Sequence, residues 1–301
     1  MARAVGAAHF RGQDSIVCGV AGALLQGLAA PPDGAIVMIG GRGSNRRYSF
    51  HYPVSNAPAH YVVRRRRLPP DVPVAEIAGV RVLEASYLAI DYIRSSHPRE
   101  ALILLDSYLR QQTQPDRFSR TFLRRSDTSV KEKLFEVLQH PPFQHYQRRL
   151  ENLITLSSPW ADSVPESAAR WALLALGFSE PECQYRLLYR GRETPPDCMT
   201  PAFIDLFLRD PQLCIEVDGA LKYQDDPRAL INEKYREDAI RRRYPNLSFV
   251  RLLANEAMDI HAVADIISPY IPVDMARRLR PSRALLPRHL SRIPRITPRA
   301  P

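Results

Sequence analysis

Cysteine is scarce in this 301-residue chain: there are four, Cys18, Cys183, Cys198 and Cys214, with no CxxC spacing and no histidine pair nearby. That scarcity argues against a disulfide-built secreted scaffold and against a zinc site, and reads as reduced thiols in a cytoplasmic protein. No apolar run approaches the roughly 18 residues of a membrane span. Residues 15–31 imitate a signal peptide, but Gln26 and scattered glycines fit an amphipathic helix carrying Val20, Ala23, Leu24 and Leu28 better. Internal repeats are also missing. One region lacks acids altogether: Met275 to Pro301 holds eight arginines and five prolines, so +8 of the formal +10 sits there. Such a segment reads as an extended or disordered arm with affinity for polyanions, or as a merely solubilising terminus.

The rest has the 45% hydrophobic content of a globular protein and length enough for two cores. Residues 1–84 read as a helix followed by short strands at Ala35–Ile39, Tyr48–Val54, His60–Arg66 and Val80–Leu83, separated by Pro- and Gly-rich turns. Within them Arg64 to Arg67 form a dense basic run, either a phosphate-contacting edge or a solvated strand end. Residues 85–158 read as mainly helical. There Arg117, Arg120, Arg124 and Arg125 surround Phe118 and Phe122, which reads as a backbone grip or as a charged surface over an aromatic anchor. Residues 159–272 form an α/β module: helix, three strands, helix, strand, helix. Its first helix starts at Pro165 with Ser163 as N-cap and stops at Gly177. A strand at Glu182–Tyr189, a charged helix at Pro227–Arg243 and a strand at Leu247–Leu252 follow, then a last helix starting at Asn255 or Asp259. Residues 273–301 are the Arg/Pro-rich tail.

The chemistry concentrates in Pro201 to Tyr223, PAFIDLFLRDPQLCIEVDGALKY. This stretch reads as two strands joined by a tight turn at Arg209-Asp210-Pro211. Alternation puts Glu216 and Asp218 on one face and Ile215 and Val217 on the other. Carboxylates in strands this apolar are costly unless neutralised, and two like charges about 4 Å apart repel by roughly 4 kcal/mol at an effective dielectric near 20. Asp205 and Glu216, as neighbours across the hairpin, therefore point to a divalent cation such as Mg²⁺ or Mn²⁺. With Glu166 from a helix and Lys222 as a cation, the set suits phosphodiester hydrolysis. Asp205, Glu216 and Asp218 are the candidate metal ligands. The plainer alternatives are that Glu166 only favours a helix N-terminus, that Lys222 is a surface residue, and that the acids form structural ion pairs.

The segment Pro165 to Leu253 resembles the very-short-patch-repair-like branch of the PD-(D/E)xK restriction-endonuclease fold, through PESAARWALLALG, Pro181 to Gln184, FIDLF, IEVDGALKY, EKYREDAIRR and SFVRLL. Many such domains end actinobacterial proteins grouped with AbiEi-type antitoxins, and Ile16 to Arg110 resembles the middle region of those proteins. The resemblance implies a restriction-endonuclease-like domain. In it Glu166 is the helix acid, Asp205 the central metal-binding aspartate and Glu216 the acid of the (D/E)xK motif. It also implies DNA as substrate or ligand and a nucleotidyltransferase-like toxin as a partner. Two departures stand out. Asp218 occupies the lysine position, leaving Lys222 or Lys234 to supply an ammonium. Too few residues precede the helix at Ala21–Leu28 for the winged helix-turn-helix with which those proteins usually begin. The alternative function is a non-catalytic antitoxin or transcriptional regulator.

Overall fold

The computed structural model describes residues 15–30, 36–41, 47–51, 60–68, 71–141, 143, 147–191, 195, 198–218, 227–286 and 293–298; side chains at 36–67 and 227–232 lie outside the description. The described residues form a mixed α/β structure with sheets of six, four and two strands. The chain divides into two compact units, Met1–Pro159 and Trp160–Pro301. Among the described residues no helix is long and apolar enough to cross a membrane.

The first unit opens with β1 (Ile16–Cys18) and α1 (Gly19–Leu25), then β2 (Ile36–Gly41), β3 (Arg47–His51), β4 (His60–Arg67), β5 (Val74–Ile77) and β6 (Val80–Leu83). Its sheet runs in the order β3-β4-β2-β1-β6-β5, with β1 parallel to β6 and β2 parallel to β4. β1 and β5 are too short for alternation to announce them. The arginine-bearing β4 is not a free edge: it pairs with β2 on one side and, from His60 to Arg64, with β3 on the other. Helix α1 is shorter than the amphipathic pattern suggests. It ends before Gly27, whose φ of +72° reverses the chain, so Leu28 is buried beyond the helix while Leu24 is exposed.

Helices α2 (Ala85–Ile93) and α3 (Pro98–Thr113) follow, then a hairpin of β7 (Pro115–Asp116) and β8 (Thr121–Phe122), then α4 (Asp127–Leu138) and α5 (Gln147–Leu156). Helices α2, α3 and α4 each begin on a side-chain acceptor: Glu84 for Ser86 N, His97 Nδ1 for Arg99 N and Ser126 Oγ for Ser129 N. Leu88, Ile90, Leu102, Leu105, Leu134 and Ile154, all without exposed surface, fill the space between them.

The second unit begins with α6 (Val164–Leu176), capped by Ser163 as expected and closed by Gly177 at φ +95°. A Cβ on Gly177 would run into the backbone of Arg280, so both conformation and space require glycine. Strands β9 (Glu182–Tyr189), β10 (Thr200–Leu208) and β11 (Leu213–Asp218) form an antiparallel meander. Helix α7 (Pro227–Arg243) then crosses over to β12 (Ser248–Leu253), which lies parallel to β11 at the sheet edge. Ile204, Phe207, Cys214 and Ile240 form a buried cluster, with Tyr185 stacked on Phe207 at 4.1 Å. The C-terminal helix expected from Asn255 or Asp259 is two: α8 (Ala254–Ala257) and α9 (Ile260–Ile267), the latter capped by Asp259.

Residues 273–286, read from sequence as the start of an extended arm, are instead docked. After α10 (Val273–Arg278), Ser282 N donates to Ala175 O and Trp171 Nε1 to Leu285 O, each at 2.9 Å, and Leu285 and Leu286 are buried. The arginine content of the segment hides two leucines that are buried next to this attachment to α6.

Candidate active site

The site grows from the hairpin register. Leu206 faces Ile215 across β10 and β11, which puts Asp205 opposite Glu216 one step further along. There Asp205 uses Oδ2 to accept the Val217 N–H at 2.8 Å. The expected neighbour relation holds. Glu216 is only 21% exposed, its carboxyl driven well above the ordinary range by burial and next by the charge of Asp205. The guanidiniums of Arg236, on α7, and Arg251, on β12, oppose that shift.

Glu166 joins from the other element the sequence singled out. It is buried in the first turn of α6 and pushed up to about 7, by burial first and then by Asp205. It is also well supplied with donors. Asp162 N and Ser163 Oγ donate to its two oxygens at 2.8 Å each, and Gln184 Nε2 reaches Oε2 at 3.3 Å. The helix-end reading of Glu166 is thus correct as far as it goes, since Ser163 Oγ in turn accepts Glu166 N. The electrostatic link to Asp205 is the additional property.

Gln184 is a residue that sequence reasoning misses. The β9–β10 register places it opposite Asp205, and its φ of +52° is rare for a residue with a side chain. Its buried amide, bonded to Glu166, accompanies that conformation. It falls within the Pro181–Gln184 segment of the resemblance, but nothing in the strand ECQYRLLY, which also carries Glu182 and Arg186, singles it out for a role.

Asp218 shares the Glu216 face, as alternation requires, but it is ion-paired: Arg251 Nε lies 3.1 Å from its carboxylate. The same guanidinium reaches Glu233 at 3.2 Å and Glu237 at 3.8 Å. Arg236 lies 3.8 Å from Glu216. Where a cation was expected from Lys222 or Lys234, the described cations beside the acids are therefore two arginines. Lys222 lies outside the described residues, and Lys234 is exposed on α7. Arg251 had a readable signal, an arginine inside the apolar run SFVRLL of a strand parallel to the acidic one.

Glu216, Arg236, Arg241, Phe249, Arg251 and Tyr270 border a cleft of about 280 Å³. Arg241 lies over the Phe249 ring at 4.9 Å, which fixes one wall. A cleft lined by the raised carboxyl of Glu216 and by guanidiniums offers both a water-activating group and phosphate contacts. Among the described residues no three acidic, histidine or cysteine side chains are placed as a ready metal shell. The donor set still fits Mg²⁺ or Mn²⁺ chemically. Asp205 and Glu216 are hard oxygen donors held together against their own repulsion, and Mg²⁺ commonly takes one or two carboxylates plus water and substrate phosphate.

No protein-family model, no curated protein and no solved structure matches this chain. Function rests on the site itself.

Proposed function

We propose that the second unit is a restriction-endonuclease-like domain that hydrolyses DNA phosphodiesters with a divalent metal. The observation that carries this reading is the Asp205–Glu216 pair, two carboxylates brought opposite each other, with Glu216 lining a cleft beside Arg236 and Arg251. Asp205 and Glu216 would hold Mg²⁺ or Mn²⁺, with Glu166 behind Asp205 completing the acidic set. A bound cation supplies Lewis-acid polarisation of the phosphoryl group and an acidified water. The chain's own residues do the rest. Arg236 and Arg251 neutralise phosphate charge, and Asp205 is oriented by the Val217 amide. Lys222 would add a further cation. Basic segments would grip the backbone with little sequence preference and strong salt dependence.

Calorimetric titration of Mg²⁺ and Mn²⁺, with and without a short DNA duplex, tests this. Binding is expected in the wild type and lost in Asp205→Ala/Glu216→Ala. Metal-dependent cleavage should vanish in Asp205→Ala while DNA affinity stays within about twofold, because a ligand to metal is not a phosphate contact. Unchanged cleavage in that variant removes the site.

One observation favours a second reading. Asp218 stands where the endonuclease lysine belongs, and it spends its charge on Arg251. A non-catalytic DNA-binding protein, antitoxin-like and paired with a toxin of nucleotidyltransferase type, would tolerate that exchange. It predicts DNA or partner binding with no metal uptake in either titration.

A further inference from the structure

The hairpin between α3 and α4 carries a feature unrelated to the acidic site. Helix α3 ends at Gln114, whose φ of +48° turns the chain outward. Leu123 N returns to Gln114 O and Arg124 N to Thr113 O, both at 3.1 Å, so the base of the hairpin is fixed to the helix terminus. Inside the turn, Asp116 accepts Phe118 N at 3.0 Å and Ser119 Oγ at 2.6 Å. Those bonds hold its carboxyl below the ordinary aspartate range. The one acid from Gln114 to Ser126 is thus turned onto its own loop, while four arginines, Arg117, Arg120, Arg124 and Arg125, are all exposed.

In the turn Phe118 is 59% exposed, and at the base of the hairpin Leu123 is 70% exposed. The Arg117 guanidinium lies 5.6 Å from the Phe118 ring centre. Phe118 is therefore not the core anchor that the sequence allowed. An exposed aromatic side chain in a hydrogen-bonded turn, with the Arg117 guanidinium beside it and three further exposed arginines along the hairpin and its base, matches what unpaired nucleotides need: a ring for base stacking and cations for the adjoining phosphates. A membrane surface would be served by several apolar side chains on one face, whereas here charge outnumbers apolar groups.

We infer that the Pro115–Phe122 hairpin, with the Arg124-Arg125 pair that follows it, is a binding element for single-stranded nucleic acid, Phe118 stacking on a base and Arg120, Arg124 and Arg125 contacting phosphates. This surface stands whether or not the acidic cleft cuts DNA, and Asp205→Ala should leave it unaffected.

Fluorescence anisotropy of the full chain with labelled 20-nucleotide oligo-dT, oligo-U and a matched duplex tests it. Phe118→Ala should weaken single-strand binding roughly tenfold and duplex binding much less. Arg120→Gln/Arg124→Gln should reduce the slope of log affinity against log salt by about 1.4, at about 0.7 for each phosphate no longer neutralised. Phe118→Leu separates stacking from greasiness. It should bind as weakly as Phe118→Ala, whereas recovery with leucine, accompanied by sedimentation on anionic vesicles, would overturn the proposal in favour of a membrane contact. Unfolding midpoints within about 2 °C of wild type establish that the variants fold. Equal loss on single strand and duplex, or no loss in any variant, also overturns it. Preference for oligo-dT or oligo-U decides which nucleic acid the element meets.

Discussion

Both units bury acids, and they neutralise them in opposite ways. In the first, Asp91 and Asp106 have no exposed surface, and each faces a donor. Arg94 sits 2.8 Å from Asp91 one helical turn away, and Ser158 N donates to Asp106 at 2.8 Å across a loop. In the second, Glu166 and Glu216 are both pushed upward, and the charge of Asp205 contributes to each shift. A buried carboxylate is therefore no sign of function by itself. The informative arrangement is one in which the fold gathers like charges, so that Asp205 raises both Glu166 and Glu216, and brings one of them, Glu216, to a cleft.

That contrast makes opposite predictions for removing charge. Asp106→Ala, in the first unit, should cost about 3 kcal/mol, because it strips a buried amide of its acceptor and severs the tie between α3 and the end of α5. Urea denaturation reads this as a lower midpoint at unchanged slope. A loss below about 1 kcal/mol would erase the distinction between the two kinds of acid.

The pH dependence is the next largest effect. Glu166 rises from 4.5 to about 7 on folding, so between those values the folded state binds more protons than the unfolded. Its contribution must then fall as pH rises through that window, by about 3 kcal/mol in all. Glu166→Gln should flatten the slope of stability against pH from 4.5 to 7 while keeping most hydrogen bonds, since the amide can still accept Asp162 N and donate to Ser163 Oγ. A smaller gain is expected from Glu216→Gln: roughly 1 kcal/mol of added stability near pH 9, absent near pH 5, from relief of the repulsion by Asp205 and net of the forfeited attraction to Arg236. Reduced stability at the alkaline end would mean that the two arginines already compensate the pair.

Much of this geometry was legible. Ser163, Pro165 and Gly177 announce α6 by cap, first-turn proline and left-handed stop, and the strand FIDLF–turn–IEVD announces a hairpin that brings Asp205 to Glu216. What escaped depends on contacts distant in sequence. Gln184 matters through a strand register, Arg251 through a parallel neighbour reached across α7, and Leu285 through a docking that its arginine-rich surroundings hide. Short strands such as β1 escaped for a different reason, because three residues give no period to read.

The smallest expected change in stability belongs to the residue that divides the two functional readings. Asp218→Lys removes an ion pair to Arg251, which is 43% exposed, and such pairs contribute at most about 1 kcal/mol. Arg251 keeps Glu233 and Glu237, so it need not collapse onto the new ammonium. The fold should barely register the exchange, while a lysine two residues after Glu216 gains access to charge developing on a phosphate. A rise in Mn²⁺-dependent cleavage of duplex DNA, absent from the Asp205→Ala/Asp218→Lys double variant, would show a catalytic frame that lacks only its cation. Metal binding without any gain in cleavage would place the defect elsewhere in the frame. Neither metal binding nor cleavage would make the gathered acids a remnant, and the second unit a binding module whose arginines, not its carboxylates, meet the partner.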